Sequence, residues 1–250
     1  MKAIILAAGA GKRLGKFGRK TPKCLIKFGD KSIIERQIDA LKSNGIEDIS
    51  VVVGYHADKV KKKLLNKDIK FYLNKVYENT GLLESLFKAK NELDDEIILV
   101  YGDVAFKPEV IKSLLKCKKN FCLIVEKGKN FDKNKQLIEK YKGIKIIKGD
   151  TKVYISKGLV KKISKNLPYN EISGKYIGVV KFSKKSTKII YQRIKKLIKS
   201  DEVKKYPSPS YLLMSFIEKG FKIYPIYTSN ENYAEIDTME DLKTAKKKFN

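Results

Sequence analysis

The stretch Leu6-Ala7-Ala8-Gly9-Ala10-Gly11-Lys12-Arg13-Leu14-Gly15, followed by Thr21-Pro22-Lys23-Cys24-Leu25, decides how the rest of the chain is read. It closes an apolar run, Ala3 to Ala8, that reads as a first buried strand. A signal peptide is not expected, because the run is short and glycines and cations follow at once. Glycines directly after a strand let backbone N–H groups approach phosphate oxygens. Two familiar phosphate loops do not fit. A P-loop needs Ser or Thr after Gly-Lys, and Arg13 stands there. A dinucleotide fingerprint needs a third glycine where Leu14 stands, and a helix at once, which Gly15, Gly18 and Pro22 oppose. What remains is a long basic loop, with Lys12, Arg13, Lys16, Arg19, Lys20 and Lys23, suited to wrapping a triphosphate.

Outward from this loop, strand and helix patterns alternate. Ser32-Ile33-Ile34-Glu35 is a capping-box pattern, and Ile34, Ile38 and Leu41 give the helix it opens an apolar stripe that Gly45 ends. Ile49 to Val53 is a strand, Ala57 to Leu65 a basic helix, Ile69 to Leu73 a strand and Leu83 to Leu93 helical. Ile97 to Tyr101 is a buried strand ending in Gly102-Asp103, Pro108 starts a helix running to about Lys116, and Phe121 to Val125 is a further strand. The alternation predicts an α/β fold of Rossmann-like character: a mixed, mostly parallel sheet with helices on both faces. Ligands on such sheets bind beyond the carboxyl ends of strands, where Gly9 and Asp103 fall.

The second half changes character. Lys140 to Ile163 carries short β-like pieces around Gly143, Gly149 and Gly158; Tyr176 to Phe182, Phe221 to Tyr227 and Tyr233 to Ile236 read as strands. Ser186 to Ile198, Ser210 to Lys219 and Thr238 to Phe249 read as helices, the last capped by Thr238. One domain is expected over 1–250, with a nucleotide-binding half at 1–125, an acceptor-binding region at 126–232 and a metal-ligand segment with closing helix at 233–250.

Composition narrows the function classes. Lys and Arg number 55 against 28 Asp and Glu, a formal charge of +27 over 250 residues. Such a surplus attracts phosphorylated metabolites, nucleic acid or acidic membranes. The cations are almost all Lys and are spread along the chain, whereas nucleic-acid readers cluster charge and favour Arg, so nucleic acid is not the expected partner. Cys24, Cys117 and Cys122 form an odd set without metal-ligand spacing, and there is one His and no Trp. A zinc site, a His-based triad and a disulfide framework are therefore not expected, and free thiols point to a reducing, cytoplasmic setting. No apolar run approaches the ~18 residues of a membrane span.

The motif Leu6-Ala7-Ala8-Gly9-x-Gly-x-Arg13-Leu14 with Pro22-Lys23-x-Leu25 resembles the signature of the nucleotidyltransferases with the GT-A-like fold. The resemblance resumes at Tyr101-Gly102-Asp103 and at Glu235-Ile236-Asp237-Thr238-Met239-Glu240-Asp241-Leu242. The closing segment is similar to the branch that transfers CMP to phosphocholine, aminoethylphosphonate or inositol phosphate. This implies attack of an acceptor phosphate or phosphonate on the α-phosphorus of a nucleoside triphosphate, CTP being favoured, with release of pyrophosphate. Two anions must be brought together, so catalysis rests on positioning and charge neutralisation.

By the resemblance, Leu6, Ala7, Ala8, Gly9, Ala10 and Gly11 bind nucleotide with their backbone, and Lys12 and Arg13 hold its outer phosphates. Lys23, catalytic together with Arg13, bridges the α-phosphate and the incoming phosphate. Asp103 and Asp237 bind Mg²⁺. Asn79 and Ser85 face the base and ribose; relatives that transfer CMP often carry Asn three positions before that Ser, where this chain has Leu82, which leaves CTP against UTP or dTTP open. Glu171, Tyr176 and Gly178 resemble the acceptor-lining segment, with Tyr169 or Tyr176 offering a cation–π face.

Each residue has a plainer reading: Asp103 as a turn residue, Asp237 as a helix cap, Ser85 as a first-turn helix residue, the tyrosines as core. Two rival functions stand beside the main one: transfer of UMP or TMP to a sugar 1-phosphate, and a non-catalytic basic module binding RNA or a protein. A homodimer is left open.

Overall fold

The computed structural model describes residues 1–11, 14, 18, 20–126 and 150–249. Strand β1 (Lys2–Ala7) leads into the glycine loop and a 3-10 turn at Lys23–Leu25. The small hairpin β2 (Lys27–Phe28) and β3 (Lys31–Ser32) delivers the chain to helix α1 (Ile33–Lys42). The capping box forms as the sequence predicts: the Ser32 backbone N–H donates to Glu35 Oε2 at 2.9 Å and the Ser32 hydroxyl to the same oxygen at 2.6 Å. Then come β4 (Ile49–Val53), α2 (Ala57–Lys63), β5 (Lys70–Leu73), α3 (Leu82–Lys88), β6 (Ile97–Tyr101), β7 (Val104–Phe106), α4 (Pro108–Leu115) and β8 (Phe121–Glu126). The second half supplies β9 (Lys152–Ser156), β10 (Leu159–Ser164), β11 (Gly174–Phe182), α5 (Lys184–Lys199), α6 (Pro209–Glu218), β12 (Tyr224–Thr228), β13 (Tyr233–Glu235) and α7 (Met239–Phe249).

Among the described residues, nine strands join one sheet. Its parallel part runs β6-β1-β4-β5, with Leu6 opposite Tyr101 on one side and Val52 on the other. β11 adds antiparallel to β6, and β8, β9 and β10 extend the sheet beyond it, so the second half makes the sheet mixed. Apolar side chains fill both faces. Along β1, Ile4 and Leu6 join one buried cluster and Ala3, Ile5 and Ala7 the other, which is why the strand reads as an unbroken apolar run. Each fully buried Ile contributes about 2 kcal/mol.

β11 shifts register against β8 between Tyr176 and Val180, and Gly178 lies in that shift with φ +79°. A Cβ there would lie 2.7 Å from the Tyr101 ring, so the bulge and the ring packing both require glycine.

The cysteine expectation is corrected. Cys117 and Cys122 are joined in a disulfide, their Cα atoms 6.6 Å apart. The chain reverses between the end of α4 and the start of β8, which brings the two side chains together; a count of three cysteines carries no such geometry. Cys24 is free and buried, and burial pushes its thiol up to about 12. The β-like pieces expected between 140 and 149 lie outside the described residues. No helix among the described residues is long and apolar enough to cross a membrane.

Candidate active site

A cleft of about 260 Å³ opens past the carboxyl ends of β1 and β6. Leu6, Ala7, Gly9 and Gly11 form one wall, Leu82 and Tyr101 another, and Lys23, Asp103 and Asp237 line it too. The backbone explains the placement. The Gly102 N–H donates to the Leu6 carbonyl at 3.0 Å, and a Cβ on Gly102 would lie 2.7 Å from that oxygen. The two strand ends therefore meet only because residue 102 lacks a side chain. Ala8 is buried in the core beneath the loop and its carbonyl accepts from the Tyr55 N–H at 3.0 Å. Ala10 is half-buried and is not part of the wall. Lys12 and Arg13 lie outside the described residues.

Lys23 opens the 3-10 turn that Pro22 starts, and the turn is closed by Leu25 N–H to the Pro22 carbonyl at 2.9 Å. Its ammonium donates to Asp103 Oδ2 at 2.9 Å and to Asp237 Oδ1. Burial alone would lower the pKa of Lys23, but the two carboxylates outweigh it and raise the value, so the group stays charged. Asp103 sits in the turn between β6 and β7. Asp237 follows β13, which pairs antiparallel with β7 so that Glu235 stands opposite Val104. That short ladder carries the C-terminal carboxylates to the Asp103 turn. Thr238 caps α7: its backbone N–H and hydroxyl each donate to Asp241 Oδ2 at 2.8 Å. The capping role falls to Thr238, and Asp237 faces the cleft.

Three residues matter here that sequence reasoning did not single out. Glu235 joins Asp103 and Asp237, each with a carboxylate oxygen within 4.8 Å of the others. Burial raises the pKa of Glu235; the neighbouring Asp103 and Asp237 push the same way, against Lys175, whose ammonium bonds it at 2.8 Å. Lys175 also meets Asp150 at 3.1 Å. The position of Glu235 at the end of β13, two residues before Asp237, was the available signal. Gln37 is fully buried on the apolar side of α1 and donates to the carbonyls of Tyr101 at 2.8 Å and Val104 at 2.6 Å, clamping the Asp103 turn from both ends. A polar residue interrupting the Ile34–Ile38–Leu41 face was its signal. Asn74, also fully buried, donates to Thr80 Oγ1 at 2.9 Å and Ser85 Oγ at 3.0 Å.

Asn79 is exposed and Ser85 buried, and neither is among the residues walling the cleft; Leu82, three positions from each, is. Leu82 is set there by its N–H donating to the Pro207 carbonyl at 2.8 Å. On the acceptor side, Glu171 accepts two bonds from the Lys162 ammonium, at 2.7 and 2.8 Å. Tyr176 is buried and packs edge-on against Tyr101, ring centroids 5.8 Å apart. Gly178 packs on the same Tyr101 ring. Tyr169 is exposed.

Clustered carboxylate oxygens are the donors that a hard divalent cation takes. The donor set therefore fits such an ion, with the Lys23 ammonium on two of its three members.

A profile of the MobA-like NTP transferase domain matches residues 3–165. The chain belongs to this family. As a MobA-like NTP transferase it is a nucleotidyltransferase, and its relatives agree: CTP:phosphoglutamine cytidylyltransferase of Campylobacter jejuni is 30% identical over 97% of this chain and 98% of its own. Choline-phosphate cytidylyltransferase of Streptococcus pneumoniae is 36% identical over 43% of this chain and 47% of its own. Among solved structures, the inositol-1-phosphate CTP transferase from T. maritima superposes with a TM-score of 0.75 at 22% identity, covering 99% of this transferase and 94% of that chain. CTP:phosphocholine cytidylyltransferase from Streptococcus pneumoniae gives 0.73 at 21% identity, covering 98% and 97%. These likenesses establish the nucleotide-diphospho-sugar transferase type of fold for this MobA-like protein.

Proposed function

We propose that this protein transfers CMP from CTP to a small phosphorylated acceptor and releases pyrophosphate. The observation that carries the reading is the convergence of Lys23, Asp103 and Asp237, from three distant parts of the chain, on one wall of the cleft beyond β1. CTP is favoured because a relative that matches along nearly the whole chain is a cytidylyltransferase.

Reactant phosphates repel by about 4 kcal/mol per pair of unit charges at ~4 Å and an effective dielectric near 20. Lys23 counters this at the α-phosphate and the incoming phosphate, where charge grows in the transition state. Backbone N–H groups of the Gly9–Gly11 segment, with Lys12 and Arg13, take the outer phosphates. Asp103 and Asp237 would hold Mg²⁺, which when bound would screen charge on the triphosphate. Leu82 offers the base an apolar wall. Tyr176 and Gly178 shape the acceptor side through the Tyr101 ring, and Glu171, its charge balanced by Lys162, is the carboxylate assigned to the acceptor.

Phosphorus NMR of CTP with phosphoglutamine or phosphocholine, Mg²⁺ and the protein tests this. New diphosphate-linked resonances and pyrophosphate are expected; an unchanged CTP spectrum with every acceptor would reject it.

A further inference from the structure

The Asp103 and Asp237 carboxylates share one cation already. Lys23 Nζ lies 2.9 Å from Asp103 Oδ2 and bonds Asp237 Oδ1 as well, so the ammonium sits between the two. A magnesium ion needs oxygen ligands at about 2.0–2.1 Å. It would draw on the same carboxylates and repel the ammonium at close range, so the two cations compete for one place. The third carboxylate does not relieve this, because Glu235 is held by Lys175 at 2.8 Å. The Lys23 backbone is anchored in its turn, with Ile26 N–H on the Lys23 carbonyl at 3.1 Å. Only the flexible stem has to move, and the cleft beside it, walled by Gly9 and Gly11, gives it room.

We propose that Lys23 is a placeholder cation: it occupies the Asp103–Asp237 pair until a nucleotide phosphate draws it away, and the divalent ion enters only then. This rests on the reading that Lys23 meets the triphosphate. Metal and nucleotide are thereby coupled through one side chain, each strengthening binding of the other by the same factor. The arrangement keeps the site from loading a divalent ion without substrate. It also offsets part of the repulsion between two neighbouring carboxylates in the empty enzyme.

The test is Mn²⁺ binding to the nucleotide-free protein, followed by the electron paramagnetic resonance of free Mn²⁺. In Lys23→Met the pair loses its resident ammonium and should bind Mn²⁺ at least about tenfold tighter than wild type, and Mn²⁺ should raise its melting temperature more than that of wild type. Adding Asp237→Asn to Lys23→Met should abolish the gain. With a non-hydrolysable α,β-methylene CTP, wild type should gain Mn²⁺ affinity beyond the analogue's own, and Lys23→Met should gain less. Equal Mn²⁺ affinity of the two nucleotide-free proteins overturns the placeholder role. If Lys23→Met binds Mn²⁺ tightly but calorimetry shows no analogue binding to wild type, the competition between Lys23 and the metal stands, and the CTP reading fails together with the nucleotide trigger.

Discussion

The Lys23 ammonium and the Asp103 carboxylate meet at 2.9 Å although 80 positions separate them in the chain. Both are largely sheltered, with side chains 13% and 26% exposed. A lysine held in this way keeps its charge beside the cleft, which is what a group that will neutralise growing phosphate charge needs.

Replacing Lys23 by Ala is expected to lower the rate of nucleotidyl transfer by about a hundredfold or more, the usual cost of removing one preorganised stabilising group. Pyrophosphate release measures the rate, and circular dichroism checks that the protein is still folded. Near-normal turnover in a folded Lys23→Ala protein contradicts the assignment.

Asp103→Asn and Asp237→Asn should each raise the magnesium concentration needed for half-maximal activity. The removed charge is half of what the proposed pair offers the ion. A magnesium titration at saturating nucleotide decides it: a variant with the wild-type profile has lost no ligand.

Gln37→Leu keeps side-chain size but removes both donors to the Tyr101 and Val104 carbonyls. Buried acceptors left unpaired cost about 1–3 kcal/mol, so the melting temperature should fall. Activity should fall further than stability explains, since the same bonds set the Asp103 turn. Comparison of kcat with the fraction folded separates the two effects.

Gly178→Ala puts a Cβ 2.7 Å from the Tyr101 ring at a φ of +79°. The expected loss is about 2 kcal/mol or more from strain and overpacking together. Thermal denaturation checks it. A variant as stable as wild type means that the bulge in β11 tolerates a side chain.

The pH dependence of stability should show Glu35. Burial favours its neutral form, but the Lys63 ammonium and the Ser32 hydrogen bonds win and hold its pKa at about 2 instead of 4.5. Because the folded value is the lower one, the stabilisation is complete above about pH 4.5 and is lost as pH falls toward 2. It is on the order of 2 kcal/mol. Melting temperatures measured from pH 6 to 2 should drop less steeply in Glu35→Gln than in wild type.

Much of this was legible in the sequence because the parts are local. The Ser32–Glu35 capping box, the apolar runs of β1, β4 and β6 and the Pro108 helix start are written in neighbouring residues, and the structure has them where the patterns put them. Lys23, Asp103 and Asp237 could be named from motifs, but their meeting depends on the β7–β13 ladder, a long-range pairing that no local pattern encodes. Glu235 and Gln37 were hidden for a related reason. Their importance comes from what lies across the cleft or behind the turn. The Cys117–Cys122 disulfide escaped because an odd cysteine count says nothing about a reversal that brings two of the three together.

The central claim meets its most direct test in a pyrophosphate-release assay with CTP, UTP, dTTP and ATP, each crossed against phosphoglutamine, phosphocholine, aminoethylphosphonate, inositol phosphate and a sugar 1-phosphate. The account predicts release that requires CTP, a divalent ion and one of the non-sugar acceptors, and that is lost in Asp237→Asn. Release that prefers UTP or dTTP with the sugar phosphate, or that persists undiminished in Asp237→Asn, would contradict it.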